Sequence, residues 1–465
     1  MNLAKSISTL LLACTIAGCA TAVFNPARNL PLQAGTPVDM DRPRDFVGET
    51  VVALSFSGGG LRAAAFSAGV LHGLAEIKTP RGDLLDDVTF ISSVSGGSLT
   101  STYFALYGRD QLPRYREEVL YRDFERTMRV SASSPFNLLR LLTGGLNDRS
   151  NFAEALDNDV FRGATFADLY RRGRPDVWIN ASDLYHRTSF PFIPPLFNAI
   201  CSDIRSYPLA DAVAASMAVP LVFSPIVLKT YPVGCPTELQ GFVATAIADP
   251  SAPRLVRSMA LAQQSYRVPD RTQFVKLVDG GITDNFGLSS ILISRSVLQT
   301  PYGPMSKRDA VRLRRLVFLI VDAGRGPSGD WTLSQEGPGG IDSALAATDA
   351  AIDAAARLAA DSFHTVLSTW RDAIVTYRCS LTASELEALG GVAKGWSCSD
   401  VQFDLDIISV SHVAPPLRST IAAIETRLAL PRESIDAAIE GGRQATVASR
   451  VLRNFVQRLR NQPTR

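Results

Sequence analysis

The chain has 465 residues, of which 46% are hydrophobic and 20% charged, and its net charge is +2. That composition supplies a large core and excludes a chain that is mostly disordered. The near-neutral balance, with no zinc knuckle, RNA-binding signature or long basic run, gives no electrostatic case for nucleic acid as a partner.

In chain order, Lys5 provides a basic start and Ile7 to Ile16 a short apolar run, the form of a secretory signal and too short to span a bilayer. The run ends in Ile16-Ala-Gly-Cys19, which resembles the lipobox of bacterial lipoproteins. The resemblance implies a signal peptide over 1–18, cleavage before Cys19 and lipidation of that residue. With Ala20 following, it also implies an outer-membrane lipoprotein that faces the periplasm or the cell surface. Residues 19–46, with Pro26, Pro31, Pro37 and Pro43, read as an extended tether. Cys14 leaves with the signal. Cys201, Cys235, Cys379 and Cys398 remain, an even number in an oxidising compartment. Pairing Cys201 with Cys235 and Cys379 with Cys398 closes two local loops, and no CxxC spacing suggests zinc or redox chemistry.

Val51 to Phe56 is a short apolar strand, followed by Ser57-Gly-Gly-Gly-Leu-Arg62 and an Ala-rich helix over about 63–77. Glycines opening a helix bare their N–H groups at the positive end of the helix dipole. The Gly-Lys-Ser/Thr of a phosphate loop and the spaced glycines of a dinucleotide fingerprint are both absent, so an oxyanion hole is the better chemical reading. Val88 to Val94 is a second apolar strand. It stops at Ser95-Gly-Gly and continues as a helix, the strand–turn–helix layout of a nucleophile elbow.

Residues 110–172 read as flanking helices and 176–184 as a core strand. Phe190 to Phe197 is an apolar, proline-rich loop open to three readings: an acyl-pocket wall, a lipid-facing loop or packed loop core. Leu209 to Val219 reads as a small-residue helix, and 248–272 as a polar surface excursion. Gln273 to Val278 is a strand ending in Asp279-Gly-Gly, where an α/β enzyme keeps a catalytic group. Leu316 to Val321 is another strand, ending at Asp322. Then come a Gly/Pro-rich mobile loop over 325–340, a long helix from Ile341, an edge strand over 401–410 and terminal helices. Alternating strands and helices make the class α/β with a mainly parallel sheet.

Together these pieces resemble the patatin-like phospholipase family, in the family's order over about residues 50–325. They are Gly58-Gly-Gly-Leu-Arg62, Ser93-Val-Ser-Gly-Gly97 and Asp279-Gly-Gly281, with softer blocks at Asn180-Ala-Ser-Asp183 and Ala214-Ala-Ser-Met-Ala-Val-Pro220. The one departure is Ser93, where the family's elbow carries glycine. The resemblance implies a three-layer α/β sandwich, with a catalytic core over 47–325 and the 326–465 segment packed on it. It implies a Ser95–Asp279 dyad and an oxyanion loop of Gly58, Gly59, Gly60 and Arg62. It also implies hydrolysis of phospholipid or lysophospholipid esters without a metal or other cofactor. A second reading keeps the fold as a membrane-anchored, non-catalytic lipid-binding lipoprotein.

Overall fold

The computed structural model describes residues 25–35, 48–126, 128, 144–298, 300–326, 331–333, 335–391 and 395–461. Cys19, the signal and residues 327–330 and 334 of the Gly/Pro-rich loop lie outside them. The sheet is built from β1 (Thr50–Phe56), β2 (Val88–Val94), β3 (Asp176–Asp183), β4 (Thr188–Pro191), β5 (Ile226–Lys229), β6 (Phe274–Val278), β7 (Arg315–Asp322) and β8 (Gln402–Ser409). Their spatial order is β8-β7-β1-β2-β3-β6-β5, with β4 also paired to β3. From β8 to β3 every pairing is parallel.

The helices that matter here are α1 (Gly60–Glu76), α2 (Gly96–Tyr107), α3 (Leu209–Ser216), α4 (Arg254–Arg267), α5 (Ser289–Val297), α6 (Gly340–Ser380), α7 (Arg432–Val447) and α8 (Arg450–Asn461). Strand residues alternate between two cores, as a period of two demands. Val52, Leu54 and Phe56 of β1, with Val317 and Leu319 of β7, pack with α1, α7 and α8. Val51, Ala53, Leu316 and Phe318 pack on the other face with α5 and α6, through Ile291, Phe363, Leu367 and Trp370. The result is a sheet between two helical layers. Both faces of the central strands are buried, which is why they read as continuous apolar runs.

The segment after 326 belongs to this body. α7 lies on α1 so closely that a side chain at Gly69 would overlap the Ile439 carbonyl and one at Gly442 the Phe66 carbonyl. β8 is the edge strand beside β7. Disulfides join Cys201 to Cys235 and Cys379 to Cys398.

Two expectations need correction. Residues 25–35 are not a free spacer but a strap along the body. Asn29 donates to the Lys229 carbonyl (2.8 Å) and accepts from the Lys229 N–H (2.8 Å), so one side-chain amide completes the outer edge of β5. Pro31 forms a bridge with Ser202, and Arg28 pairs with Asp211. The 248–272 stretch is not a surface excursion, because it contains α4. Val256, Met259, Ala260 and Tyr266 of α4 are buried, a helical spacing masked by the Arg, Ser and Gln between them.

The sheet also departs from a uniform parallel plan where it matters. β2 and β3 pair as far as Val94 and Asn180, and β3 runs on to Asp183. β6 pairs antiparallel with that overhang, Ser182 opposite Val278. A strand running the other way therefore carries its last residues back along β3 toward the end of β2, where Ser95 sits.

Candidate active site

Ser95 stands between β2 and α2 with φ 50° and ψ −126°. A positive φ strains a residue that carries a side chain, and such strain persists only where the surroundings enforce it. Here they do. The Ser95 N–H donates to Ser216 Oγ (2.8 Å), and Ser216 Oγ donates to the Asn180 carbonyl (2.6 Å). Ser98 Oγ lies 3.0 Å from the same hydroxyl. The two glycines after Ser95 have separate reasons to be glycine. A Cβ on Gly96 would fall 1.9 Å from the Gly60 carbonyl oxygen, and one on Gly97 would fall 2.7 Å from Phe56 Cβ. The elbow and the glycine loop thus touch backbone to backbone. Ser93, the departure from the family pattern, fits because its Oγ accepts from Ser101 Oγ (2.7 Å) and faces the Trp178 carbonyl (3.3 Å).

Ser95 Oγ donates to Asp279 Oδ2 at 2.9 Å. The other carboxylate oxygen accepts the Gly281 N–H at 2.8 Å. The backbone around Asp279 is held on both sides: its N–H meets the Ala218 carbonyl (2.8 Å) and the Gly280 N–H meets that of Ser216 (3.1 Å). Ser182 Oγ donates to the Asp279 carbonyl at 2.8 Å. Gly280 is pressed so close to β3 that a Cβ would lie 2.2 Å from the Asn180 carbonyl oxygen. Asp279 is buried, and desolvation raises its carboxyl pKa to about 6 against the opposing pull of the Gly281 N–H and the Ser95 hydroxyl. A carboxylate so tuned is a stronger base than one in water.

The glycine loop divides by role. Gly58 lies against Ser95, since a Cβ there would stand 3.2 Å from Ser95 Cβ. Its N–H, however, is already occupied by Asn285, at 3.3 Å from the carbonyl and 3.2 Å from Oδ1. Gly58 is therefore a close-approach position rather than a free donor. Gly59 (φ 135°) and Gly60 (φ 59°) turn the chain into α1 through conformations that favour glycine. Arg62 also departs from the expected oxyanion set. Its buried guanidinium donates from Nε to the Ala323 carbonyl (2.9 Å) and from Nη1 to the Ile424 carbonyl (2.6 Å), and desolvation lowers its pKa to about 10. It ties the loop to the end of β7 and to the C-terminal segment. Leu61 N–H reinforces that tie by donating to the Arg427 carbonyl at 2.9 Å.

Ser57 Oγ accepts from the Ala323 N–H at 3.0 Å and faces no carboxylate in its hydrogen bonds. None of the four histidines bonds to Ser95 or Asp279 among the described residues. His186 instead meets Asp183 Oδ2 (2.6 Å), which also accepts from the Tyr266 hydroxyl (2.6 Å). No group of three His, Cys, Asp or Glu able to hold a metal ion occurs among the described residues. Asn180 and Ser216 stand in the softer sequence blocks without an assigned role, and Asn285 lies outside every motif. The signal for the first two was polarity in otherwise apolar runs, at Ile179-Asn-Ala and Ala215-Ser-Met.

The patatin-like phospholipase family model matches residues 54–292, from the end of β1 through the elbow, Asp279 and into α5. Among solved structures the chain is similar to human GIVD cytosolic phospholipase A2, at 13% identity and a TM-score of 0.40, over 88% of this chain and 62% of that one. It is also similar to VipD from Legionella pneumophila, at 10% identity and a TM-score of 0.36, over 94% of this chain and 72% of that one. This chain thus spans less than two thirds of the human enzyme's length. No curated protein matches it in sequence. The family match covers more than half of the 465 residues and contains the strained serine, its carboxylate partner and the glycine loop: the chain belongs to the patatin-like phospholipase family.

Proposed function

We propose that the protein is a lipid acyl hydrolase that cleaves carboxylic esters of phospholipids or lysophospholipids through a Ser95–Asp279 dyad. The observation that carries this reading is the 2.9 Å hydrogen bond from a serine held at positive φ to a carboxylate buried beside it. Asp279 Oδ2 takes the Ser95 proton as Oγ attacks the ester carbonyl carbon. The charge that develops on the carbonyl oxygen meets backbone N–H groups of Gly59 and Gly60, with the Gly96 N–H following the nucleophile. Asp279 then returns the proton to the departing lysolipid or glycerol alcohol, leaving an acyl-enzyme. Water attacks that ester in turn, giving its proton to Asp279, and the free fatty acid leaves as Ser95 is restored. The site needs no third residue to orient the base, because Gly281 N–H and the backbone clamps from Ala218 and Ser216 already fix the carboxylate.

The Ile16-Ala-Gly-Cys19 run supports lipid anchoring of the mature chain in the outer membrane. No helix among the described residues is long and apolar enough to cross a membrane. The test is product analysis by mass spectrometry with diacyl phospholipid, lysophospholipid, triacylglycerol and p-nitrophenyl butyrate. Fatty acid release by the wild type and not by Ser95→Ala supports the reading. A wild type that hydrolyses none of the four contradicts it and favours the non-catalytic lipid binder.

A further inference from the structure

The chain exposes aliphatic side chains right beside its catalytic carboxylate. After α3, the Ala218 carbonyl holds the Asp279 N–H, and the next residues turn outward. Val219, Leu221 and Val222 are 41%, 64% and 36% exposed. From the other side of Asp279, Ile282 is 37% exposed, one residue past the Gly281 N–H that binds the carboxylate. Leu221 has φ 72°, a genuine outlier for a bulky side chain. A strained backbone here presents a leucine to the outside.

The strap leads to the same place. Asn25 is buried, and its amide donates to the carbonyls of Ser224 (3.1 Å) and Pro225 (2.9 Å), only two and three residues beyond Val222. Its Oδ1 accepts the Arg149 N–H at 2.6 Å. Asn25 is therefore fixed next to this aliphatic lip. Five residues lie between Cys19 and Asn25, and the six extended steps from one to the other reach at most about 20 Å. An acyl anchor on Cys19 cannot stray far from the lip.

We infer that Val219, Leu221, Val222 and Ile282 form a membrane-docking lip whose partner is the phospholipid bilayer that holds the Cys19 anchor. The strap sets the orientation, so that the edge of the fold carrying Ser95 and Asp279 meets the surface of that same membrane. Substrate then comes from the anchor's own leaflet, and a lipid enters the site without crossing water. This rests on the lipidation and lipid-hydrolase readings above, but its first test needs no turnover.

Full-length lipidated protein in the Ser95→Ala background is labelled with bimane at Val222→Cys or at Pro80→Cys. Pro80 is exposed in the turn between α1 and β2, at the amino edge of the sheet and away from Ser95. In vesicles containing brominated phosphatidylcholine, the label at 222 is quenched several-fold more than the label at 80. Equal quenching, or none at 222, overturns the lip.

The second test uses Val219→Thr with Leu221→Asn; asparagine tolerates positive φ, so the turn keeps its shape. Turnover of phospholipid in phosphatidylethanolamine–phosphatidylglycerol vesicles falls at least tenfold, whereas that of soluble p-nitrophenyl butyrate stays within twofold. An equal loss on both substrates, or no loss on vesicles, overturns the proposal. A wild type inactive on both substrates, with the 222 label still quenched, removes the hydrolase reading and leaves the lip standing.

Discussion

The chain carries Ser-x-Ser-Gly-Gly twice, at Ser55 to Gly59 and at Ser93 to Gly97, each after an apolar parallel strand and before a helix. Local pattern makes them equals; neighbours make them different. Ser57 leaves β1 beside the end of β7, and its N–H and hydroxyl both bond to backbone there, at Val321 and Ala323. Ser95 leaves β2 beside the overhang of β3, where antiparallel β6 delivers Asp279 and α3 delivers Ser216. One turn is bonded into the scaffold and supplies a glycine loop; the other is forced to positive φ and keeps its hydroxyl for a buried carboxylate. The proposed nucleophile differs from its twin in what the rest of the sheet brings to it.

The largest effect that breaks this comparison is loss of the elbow hydroxyl. Ser95→Ala lowers turnover at least about 10³-fold, measured with p-nitrophenyl butyrate. Asp279→Asn keeps the shape but removes the proton acceptor, and turnover falls roughly 10²–10⁴-fold. The same residue sets the pH profile. In the proposed mechanism the carboxylate is the working form and burial raises its pKa to about 6, so wild-type turnover drops as pH falls through about 6.

Stability has the opposite sign. A folded-state pKa above the unfolded one means that the protonated site favours folding, an advantage lost as pH rises through about 6. Asp279→Asn therefore stabilises the protein at pH 8 by on the order of 1–3 kcal/mol, with no gain below about pH 4, as followed by denaturant unfolding across pH.

Ser216→Ala removes the acceptor for the Ser95 N–H and leaves that donor buried. A cost of about 1–3 kcal/mol and a turnover loss of about tenfold follow, with the elbow still in place. The smallest effect is Ser57→Ala. It removes the acceptor of the buried Ala323 N–H, at a cost of about 1–3 kcal/mol, and leaves turnover within several-fold of wild type. If Ser57→Ala matched Ser95→Ala in turnover, the two turns would not differ as described.

What the sequence makes legible follows the same division. The elbow and the acid before two glycines are apolar runs broken by glycine, the core strands are apolar runs, and the edge strand over 401–410 alternates over part of its length. The unread parts are relations between distant segments. Nothing in Phe274 to Val278 says that the strand runs antiparallel, since direction depends on where β3 ends. The role of Arg62 depends on carbonyls at Ala323 and Ile424, far along the chain. Residues 25–35 look like a spacer because Asn25 and Asn29 bond to partners nearly 200 residues away. α4 hides because its buried face, including Gln263 and Ser265, is partly polar.

The most direct test of the central claim is the site of covalent capture. Wild-type protein treated with a fluorophosphonate probe and digested yields one adduct, which peptide mass spectrometry assigns to Ser95. Ser95→Ala takes no label, and Ser57→Ala keeps it at a reduced rate. An adduct on Ser57 with Ser95 unmodified contradicts the account and exchanges the roles of the two turns.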